Sequence, residues 1–372
     1  MDTQFYSLTL QNVQQILDDL SNEGYNIISP AVNNGAMVLN ELPAKERPPT
    51  GYSEKQSPGK YELFSNGEES LFGYTIPMQS WRKYLAPAEE VLFQSTFENG
   101  NFEVKETEQE VSKTVFFGIR ACDLQGIQIQ DNIFLKNTYV DPYYKKRREN
   151  LFIIAADCLH PADTCFCTSF EHGPSVKEYY DIALTEVETG VFLARATPEA
   201  AKKYLHSFSV ANEKIVLSSK TKIKEAEKKI TRKIDLKTAQ KVLTSNYDHS
   251  NWEKIAQRCL SCTSCTLVCP TCFCTTVDEA PSIDGTSSKR IRSWDSCFNL
   301  SHSYIHGGHI RSSVKSRYRQ WLTHKLAYQE EQFKSSGCTG CGRCLTWCPA
   351  AIDFTAEIPV FAKKTEENSG NS

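Results

Sequence analysis

The chain has 372 residues, 15 of them cysteine, with a formal net charge of −3 and a pI near 6.3. At about 100–200 residues per domain this length implies two or three domains, and 40% hydrophobic with 23% charged residues supplies an ordinary buried core. The charge balance argues against a nucleic-acid binder, and no stretch approaches the ~20 apolar residues of a membrane span.

Leu10, Val13, Ile16, Leu17 and Leu20 recur at helical spacing and predict a helix over about residues 8–24, with Gly24 as its stop. Short strand-like runs follow at Tyr25 to Ile28 and Ala36 to Leu39. Residues 43–62, rich in Pro, Gly, Lys and Ser, read as a loop. The apolar runs Val115 to Ile119 and Leu151 to Ala156 read as buried strands, with a helix over 123–135 between them. Such a strand–helix–strand unit predicts an α/β-type region with a mixed sheet and some parallel pairing. Asp141-Pro142 followed by Lys145 to Arg148 reads as a surface turn and a charged helix start. The Lys-rich segment 212–240 reads as a solvated helix and connector. The expected fold is therefore α+β. An α/β-type domain over 1–245 precedes a mainly α-helical domain over 246–372.

Two cysteine runs dominate the second region. Cys259-x2-Cys262-x2-Cys265-x3-Cys269-Pro270 is repeated as Cys338-x2-Cys341-x2-Cys344-x3-Cys348-Pro349. Each has the bacterial ferredoxin spacing for a 4Fe–4S cluster, in which the fourth cysteine ligates the other cluster. The expected sets are Cys259, Cys262, Cys265 and Cys348 for one cluster, and Cys338, Cys341, Cys344 and Cys269 for the other. Pro270 and Pro349 stop or bend the chain after the fourth ligand, because proline lacks an amide donor. Gly340 and Gly342 let backbone amides approach the sulfurs of the second loop. Zinc sites pair two Cys-x2-Cys knuckles rather than a longer run ending in Cys-Pro. A disulfide framework requires an oxidising compartment. Met1-Asp2-Thr3-Gln4 lacks the basic and apolar regions of a secretory leader, so a reduced, cytoplasmic protein is expected.

The two runs are 69 positions apart, from Cys269 to Cys338 (338 − 269). Val314, Tyr318, Trp321, Leu322 and Leu326 form one stripe of a predicted helix over 311–334 in this insert, which favours a helical ferredoxin domain over the small βαβ type. Arg290, Arg292, Arg311, Lys315, Arg317 and Arg319 make the insert basic. They read equally as a solvated face and as cations that favour reduction of an anionic cluster. Ser303 to His309 is a polar, glycine-bearing turn, read as a loop packed on the cluster domain, against the alternative of a His ligand or a hydrogen bond to a cluster sulfur.

Seven further cysteines remain. Thr-Cys-Phe-Cys occurs at 164–167 and again at 271–274, each time followed by Thr. Cys122 and Cys158 lie just past the two candidate strands, and Cys165 and Cys167 just beyond. If the strands are parallel neighbours, all four thiolates converge at one sheet edge, where α/β sheets place ligands. They are candidates for a third iron–sulfur cluster, against the alternative of buried structural cysteine. Cys272, Cys274 and Cys297 lack an obvious fourth partner. They line the first cluster or hold a further cluster with a non-cysteine ligand. Neither a GxGxxG fingerprint after a strand nor a Walker loop is present.

Phe117 to Leu124, Asp163 to Cys167, Cys259 to Cys274, Arg292 to Phe298, Tyr304 to Gly308, Tyr318 to Lys325 and the last cysteine run, in this order, resemble the beta subunit of soluble nickel–iron sulfhydrogenases and the corresponding iron–sulfur subunit of anaerobic sulfite reductase. The likeness spans about residues 10–360. It implies an iron–sulfur carrier between a flavin subunit that handles NAD(P)H and a catalytic hydrogenase or sulfite-reducing subunit, within a hetero-oligomer. Two rival classes stay open at this point. One is a redox enzyme whose N-terminal cysteines form a catalytic or cluster site of their own. The other is a metal-binding scaffold that never changes oxidation state.

Overall fold

The structure is a computed structural model that describes residues 4–107 and 110–363. Met1 to Thr3, on which the leader expectation partly rests, lie outside the described residues. The strands in chain order are β1 (Phe5–Thr9), β2 (Asn26–Asn33), β3 (Ala36–Glu41), β4 (Tyr52–Ser57), β5 (Lys60–Ser65), β6 (Glu89–Glu98), β7 (Asn101–Glu106), β8 (Thr114–Ile119), β9 (Leu151–Ala156), β10 (Ile182–Glu188), β11 (Val191–Ala196), β12 (Thr275–Pro281), β13 (Ser287–Trp294) and the two-residue pair β14 (Tyr304–Ile305) and β15 (Gly308–His309).

Seven of them form one mixed sheet in the order β1-β11-β10-β9-β8-β2-β3. The centre is parallel: β2 with β8, β8 with β9, and β9 with β10. The edges, β3 and the β11–β1 pair, are antiparallel. β8 and β9 are nearly continuous apolar runs because both faces of a central parallel strand are covered; Val115, Phe116, Phe117 and Ile119 are all fully buried. The helix Leu10–Asn22 starts at Thr9, whose hydroxyl accepts from the Asn12 amide in a capping box. It buries the predicted stripe Val13, Ile16, Leu17 and Leu20 on one face of the sheet. The helix Ala121–Phe134 follows β8 and completes the predicted strand–helix–strand unit.

Residues 43–62 do not form the loop expected of them. β4 and β5 pair as an antiparallel hairpin, with Gly59 at φ +72° in its turn. Their polar alternation conceals a specific packing role against the second cysteine run. Gly59 N donates to the Leu345 carbonyl at 3.0 Å, and Tyr61 packs on Trp347 with ring centroids 4.8 Å apart.

After residue 246 the chain is mainly helical, as expected. The helix Val314–Thr323 is capped by Ser313 and runs on through a π turn, His324–Tyr328, into Gln329–Phe333. The hairpin β12–β13 is an addition to that expectation. It joins β6 and β7 in a four-stranded sheet, β12-β13-β6-β7, so segments about 190 positions apart in sequence share one set of ladders.

One ion pair ties the second cysteine run to the helix Ala121–Phe134. The Arg343 guanidinium donates to both Asp123 carboxylate oxygens at 2.8 Å and to the Pro77 carbonyl at 2.9 Å. Both side chains are only 1% exposed. A bidentate pair of this kind satisfies the carboxylate and most of the guanidinium away from water. Removing one partner leaves an uncompensated buried charge, so Asp123→Ala is expected to lower stability by about 3–5 kcal/mol. Adding Arg343→Met to that variant is expected to recover most of the loss. Anaerobic urea unfolding of the two variants against the parent checks both outcomes, and equal losses in both would disprove the account.

Candidate functional site

The eight ferredoxin-spaced cysteines fall into two groups in space. Cys259, Cys262, Cys265 and Cys348 line one cavity of about 460 Å³, together with Tyr318, Trp321 and Phe354; Cys344 borders it. Cys269 instead neighbours Cys338, Cys341 and Cys344. Each run thus sends its fourth cysteine across to the other run's first three.

The two loops share a backbone shape. Ser261 and Thr263 have φ of 49° and 66°, and Gly340 and Gly342, at the same offsets, have φ of 67° and 77°. This left-handed turn points successive amides inward. Gly340 N donates to Cys338 Sγ at 3.4 Å, Thr271 N to Cys269 Sγ at 3.4 Å and Ile352 N to Cys348 Sγ at 3.3 Å. Amide-to-sulfur bonds are a principal means by which a protein tunes a cluster. The glycines of the second loop also have a packing cause. A Cβ on Gly340 would lie 2.6 Å from the Cys167 backbone, and one on Gly342 would lie 2.5 Å from the Thr164 carbonyl oxygen. The first Thr-Cys-Phe-Cys segment lies directly on this loop, whereas the first loop is open, with Cys262 exposed and Leu260 66% exposed beside it.

Lys325 sits fully buried beside the second group. Its ammonium donates to Cys269 Sγ at 3.2 Å, Thr271 Oγ1 at 3.2 Å and the Gly337 carbonyl at 2.7 Å, with Cys272 Sγ at 4.0 Å. No carboxylate pairs with it among the described residues. Burial opposes its charge, but Cys269, Cys272, Cys338 and Cys344 outweigh that and hold its pKa well above the usual lysine value. A hydrogen bond from Cys272, with Lys325 and Thr271, holds the Cys269 thiol well below its ordinary range against the opposing effect of burial. A buried ammonium whose anionic neighbours are all sulfur marks a thiolate site. Sequence reasoning missed this residue, although a signal was present: Lys325 interrupts the stripe of Trp321, Leu322 and Leu326.

The N-terminal cysteines also converge. β8 and β9 are parallel neighbours, so Cys122 and Cys158 emerge at the same sheet edge. Cys165 and Cys167 reach them from the following loop, and all four are buried. Cys122 and Cys167 pack with Cys341, Ile76 and Ile230 in one cluster. Cys165 Sγ contacts the Cys341 carbonyl oxygen at 3.9 Å. Burial pushes all four thiols up, Cys167 to about 12. Such buried thiols are inert as nucleophiles.

Cys272, Cys274 and Cys297 line a separate cavity with Lys325, Asp295 and His324. All 15 cysteines are unpaired thiols. Among the described residues no three His, Cys, Asp or Glu side chains converge closely enough for a single metal ion. A cubane is larger than an ion and holds its thiolates further apart.

Residues 258–352, which include all eight ferredoxin-spaced cysteines, match the family model of the 4Fe-4S dicluster domain. Over 299 residues, 79% of this chain and 86% of the relative, the sequence is 29% identical to Sulfhydrogenase 2 subunit beta of Pyrococcus furiosus. No solved structure matches. The resemblance read from the motifs therefore extends over most of the chain: this is an iron–sulfur protein related to a hydrogenase subunit. Among the described residues no helix is long and apolar enough to cross a membrane.

The different surroundings of the two loops predict different tolerances. Gly340→Ala combines a left-handed alanine, about 1–2 kcal/mol, with a backbone clash, and is expected to lower the urea midpoint. Thr263→Gly, which relieves a left-handed β-branched residue, is expected to leave the midpoint unchanged or raised. Matched midpoints for the two variants would contradict the packing argument.

Proposed function

We propose that the chain is the electron-transfer subunit of a hetero-oligomeric oxidoreductase. It would relay electrons between a flavin subunit handling NAD(P)H and a catalytic subunit of nickel–iron hydrogenase or sulfite-reductase type. The observation that carries this reading is the contiguity of the cysteine groups. The set of Cys259, Cys262, Cys265 and Cys348 lies against the set of Cys338, Cys341, Cys344 and Cys269, and the latter against Cys122, Cys158, Cys165 and Cys167. We assign a 4Fe–4S cluster to each ferredoxin set and a third iron–sulfur cluster to the four N-terminal cysteines. Bound there, such clusters accept and donate single electrons at potentials set by burial, hydrogen bonds to sulfur and local charge.

The protein's own groups do the positioning. Inward amides orient the thiolates, Lys325 offsets their charge, and Tyr318, Trp321 and Phe354 form an aromatic wall on one side of the first set. The exposed Cys262 edge, with Leu260 66% and Leu267 46% exposed, is accessible to a redox partner. Residues 1–245 would carry the third site and residues 246–372 the dicluster, in a cytoplasmic protein whose thiols stay reduced. The rival reading, a catalytic thiol in the N-terminal region, is disfavoured because Cys122, Cys158, Cys165 and Cys167 are buried and their thiols are pushed up in pKa.

Anaerobic iron and acid-labile sulfide analysis, with EPR after dithionite reduction, tests this reading. Coupled spectra of reduced 4Fe–4S clusters support the relay; iron that never changes oxidation state sinks it. The double variant Cys165→Ser/Cys167→Ser is expected to lower bound iron by about four per chain, and an unchanged count would remove the third cluster. Lys325→Met withdraws a buried positive charge beside the second ferredoxin set. Its potential is expected to fall, because adding an electron there becomes less favourable. Redox-poised EPR reads that shift, and a potential that stays or rises would refute the role given to Lys325.

A further inference from the structure

The second Thr-Cys-Phe-Cys segment is not absorbed by the two ferredoxin sets. We propose that Cys272, Cys274, Cys297 and His302 form a further iron–sulfur cluster site, with three thiolates and one imidazole as ligands. The inference deepens the relay reading, on which it rests for the centre's role.

Cys272, Cys274 and Cys297 all line one cavity of about 380 Å³, close in size to the cavity of about 460 Å³ around the first ferredoxin set. A wider opening next to it is lined by Cys274, Cys297 and His302. His302 completes the donor set through an oriented ring. Its Nδ1 bonds to Asp295 Oδ2, and the ring borders the same opening as Cys274 and Cys297. A metal-binding histidine characteristically donates its other ring N–H to a carboxylate, which fixes tautomer and orientation. Asp295 is itself held: it accepts from the Ser296 amide at 2.7 Å and the Asn299 side chain at 2.5 Å, and its own amide donates to the Cys274 carbonyl at 2.9 Å. Carboxylate, imidazole and thiol are thus fixed on one short stretch of chain.

Charge points the same way. Arg82 is buried against this segment, donates to the Cys272 carbonyl and stacks on Trp294 at 3.6 Å. Its titratable neighbours are the thiols of Cys269, Cys272 and Cys274. Lys325 reaches Cys272 from the other side at 4.0 Å. Two buried cations without a carboxylate partner among the described residues require an anion between them, and thiolates on a cluster supply it. A lone ion does not fit, since no three donors converge on one point among the described residues.

Position gives the site its sense. Trp321 lines both this cavity and that of the first ferredoxin set, and the Lys325 ammonium lies 3.2 Å from Cys269 Sγ of the second set and 4.0 Å from Cys272 Sγ. The centre would therefore touch both ferredoxin sets. The two Thr-Cys-Phe-Cys-Thr segments would then serve alike, each bringing two thiolates to an extra cluster. An imidazole in place of a thiolate raises a cluster's potential, so this centre should be the easier to reduce.

The experiment uses the full chain purified anaerobically, with iron, sulfide and zinc counted and each signal followed by redox-poised EPR. Cys274→Ser/Cys297→Ser is expected to lose about four irons and four sulfides per chain, while the signals of the two ferredoxin clusters persist. His302→Cys is expected to keep the iron and move one midpoint potential negative. An unchanged iron count in the double variant, or zinc lost in place of iron, would overturn the proposal. So would a His302→Cys variant that alters no potential, whether or not the double variant folds. Failure of the relay reading looks different, as absent or non-reducible ferredoxin signals in the parent chain.

Discussion

The pairing of Arg343 with Asp123 fixes the geometry on which the remaining thiol sites depend. Asp123 directly follows Cys122 at the start of the helix after β8, and Arg343 directly precedes Cys344 in the second ferredoxin loop. A bidentate guanidinium–carboxylate pair has little tolerance in distance or angle. Locking these two residues therefore also locks the separation of the cysteines beside them. Around that lock the packing is tight enough to demand glycine. Gly340 and Gly342 accommodate the 164–167 segment, and in the helix Ala121–Phe134 a Cβ on Gly126 would approach Pro270 to 2.7 Å. The segment after Cys269, the second ferredoxin loop and the N-terminal cysteines are thus held by close approach.

Charge balance is the second organising constraint. Fifteen thiols in one chain, seven of them buried and seven more half-buried, would be costly as thiolates in an apolar interior. Arg343, Lys325 and Arg82 are placed among them, and each is itself buried. Burial alone would disfavour these charges; at Lys325 and Cys269 the ammonium and the thiol each favour the ionised form of the other. Elsewhere the same economy uses carboxylates: Asp157 takes Arg195 at 3.0 Å and the Thr185 hydroxyl at 2.6 Å beneath β9 and β10. The contrast separates ordinary structural ion pairs, Arg343 with Asp123 among them, from Lys325 and Arg82, which have sulfur neighbours and no carboxylate partner among the described residues.

What was legible in the sequence follows from how local each signal is. Ferredoxin spacing is local, and so is the apolar periodicity of Leu10 to Leu20 and of β8 and β9. These carried the α+β fold, the strand–helix–strand unit and the eight principal cysteines. The hairpin β4–β5 was illegible because Tyr52-Ser53-Glu54-Lys55-Gln56-Ser57 carries no apolar alternation; its stability comes from contacts with Leu345 and Trp347, nearly 300 positions away. The β6–β13 pairing was hidden for the same reason, since neither strand announces a partner across about 190 positions. Lys325 and His302 were visible as residues, but their roles depend on burial and on a neighbouring carboxylate, which spacing does not encode.

The asymmetry of the two ferredoxin loops follows from these same constraints. Duplicate motifs start with equal chemistry, yet one loop keeps Ser261 and Thr263 at strained left-handed positions while the other uses glycine. Strain is tolerable where the loop faces solvent, because nothing needs to approach its backbone. Glycine is required where another segment lies within 3 Å. The side of the dicluster that meets the rest of the chain is therefore written in the choice of Gly over Ser and Thr. An exposed, apolar-rimmed edge at Cys262 and a sealed face at Cys341 give the pair an outside and an inside. That polarity is what an electron-transfer unit needs, since one end must be reachable by a partner while the other passes charge inward under cover.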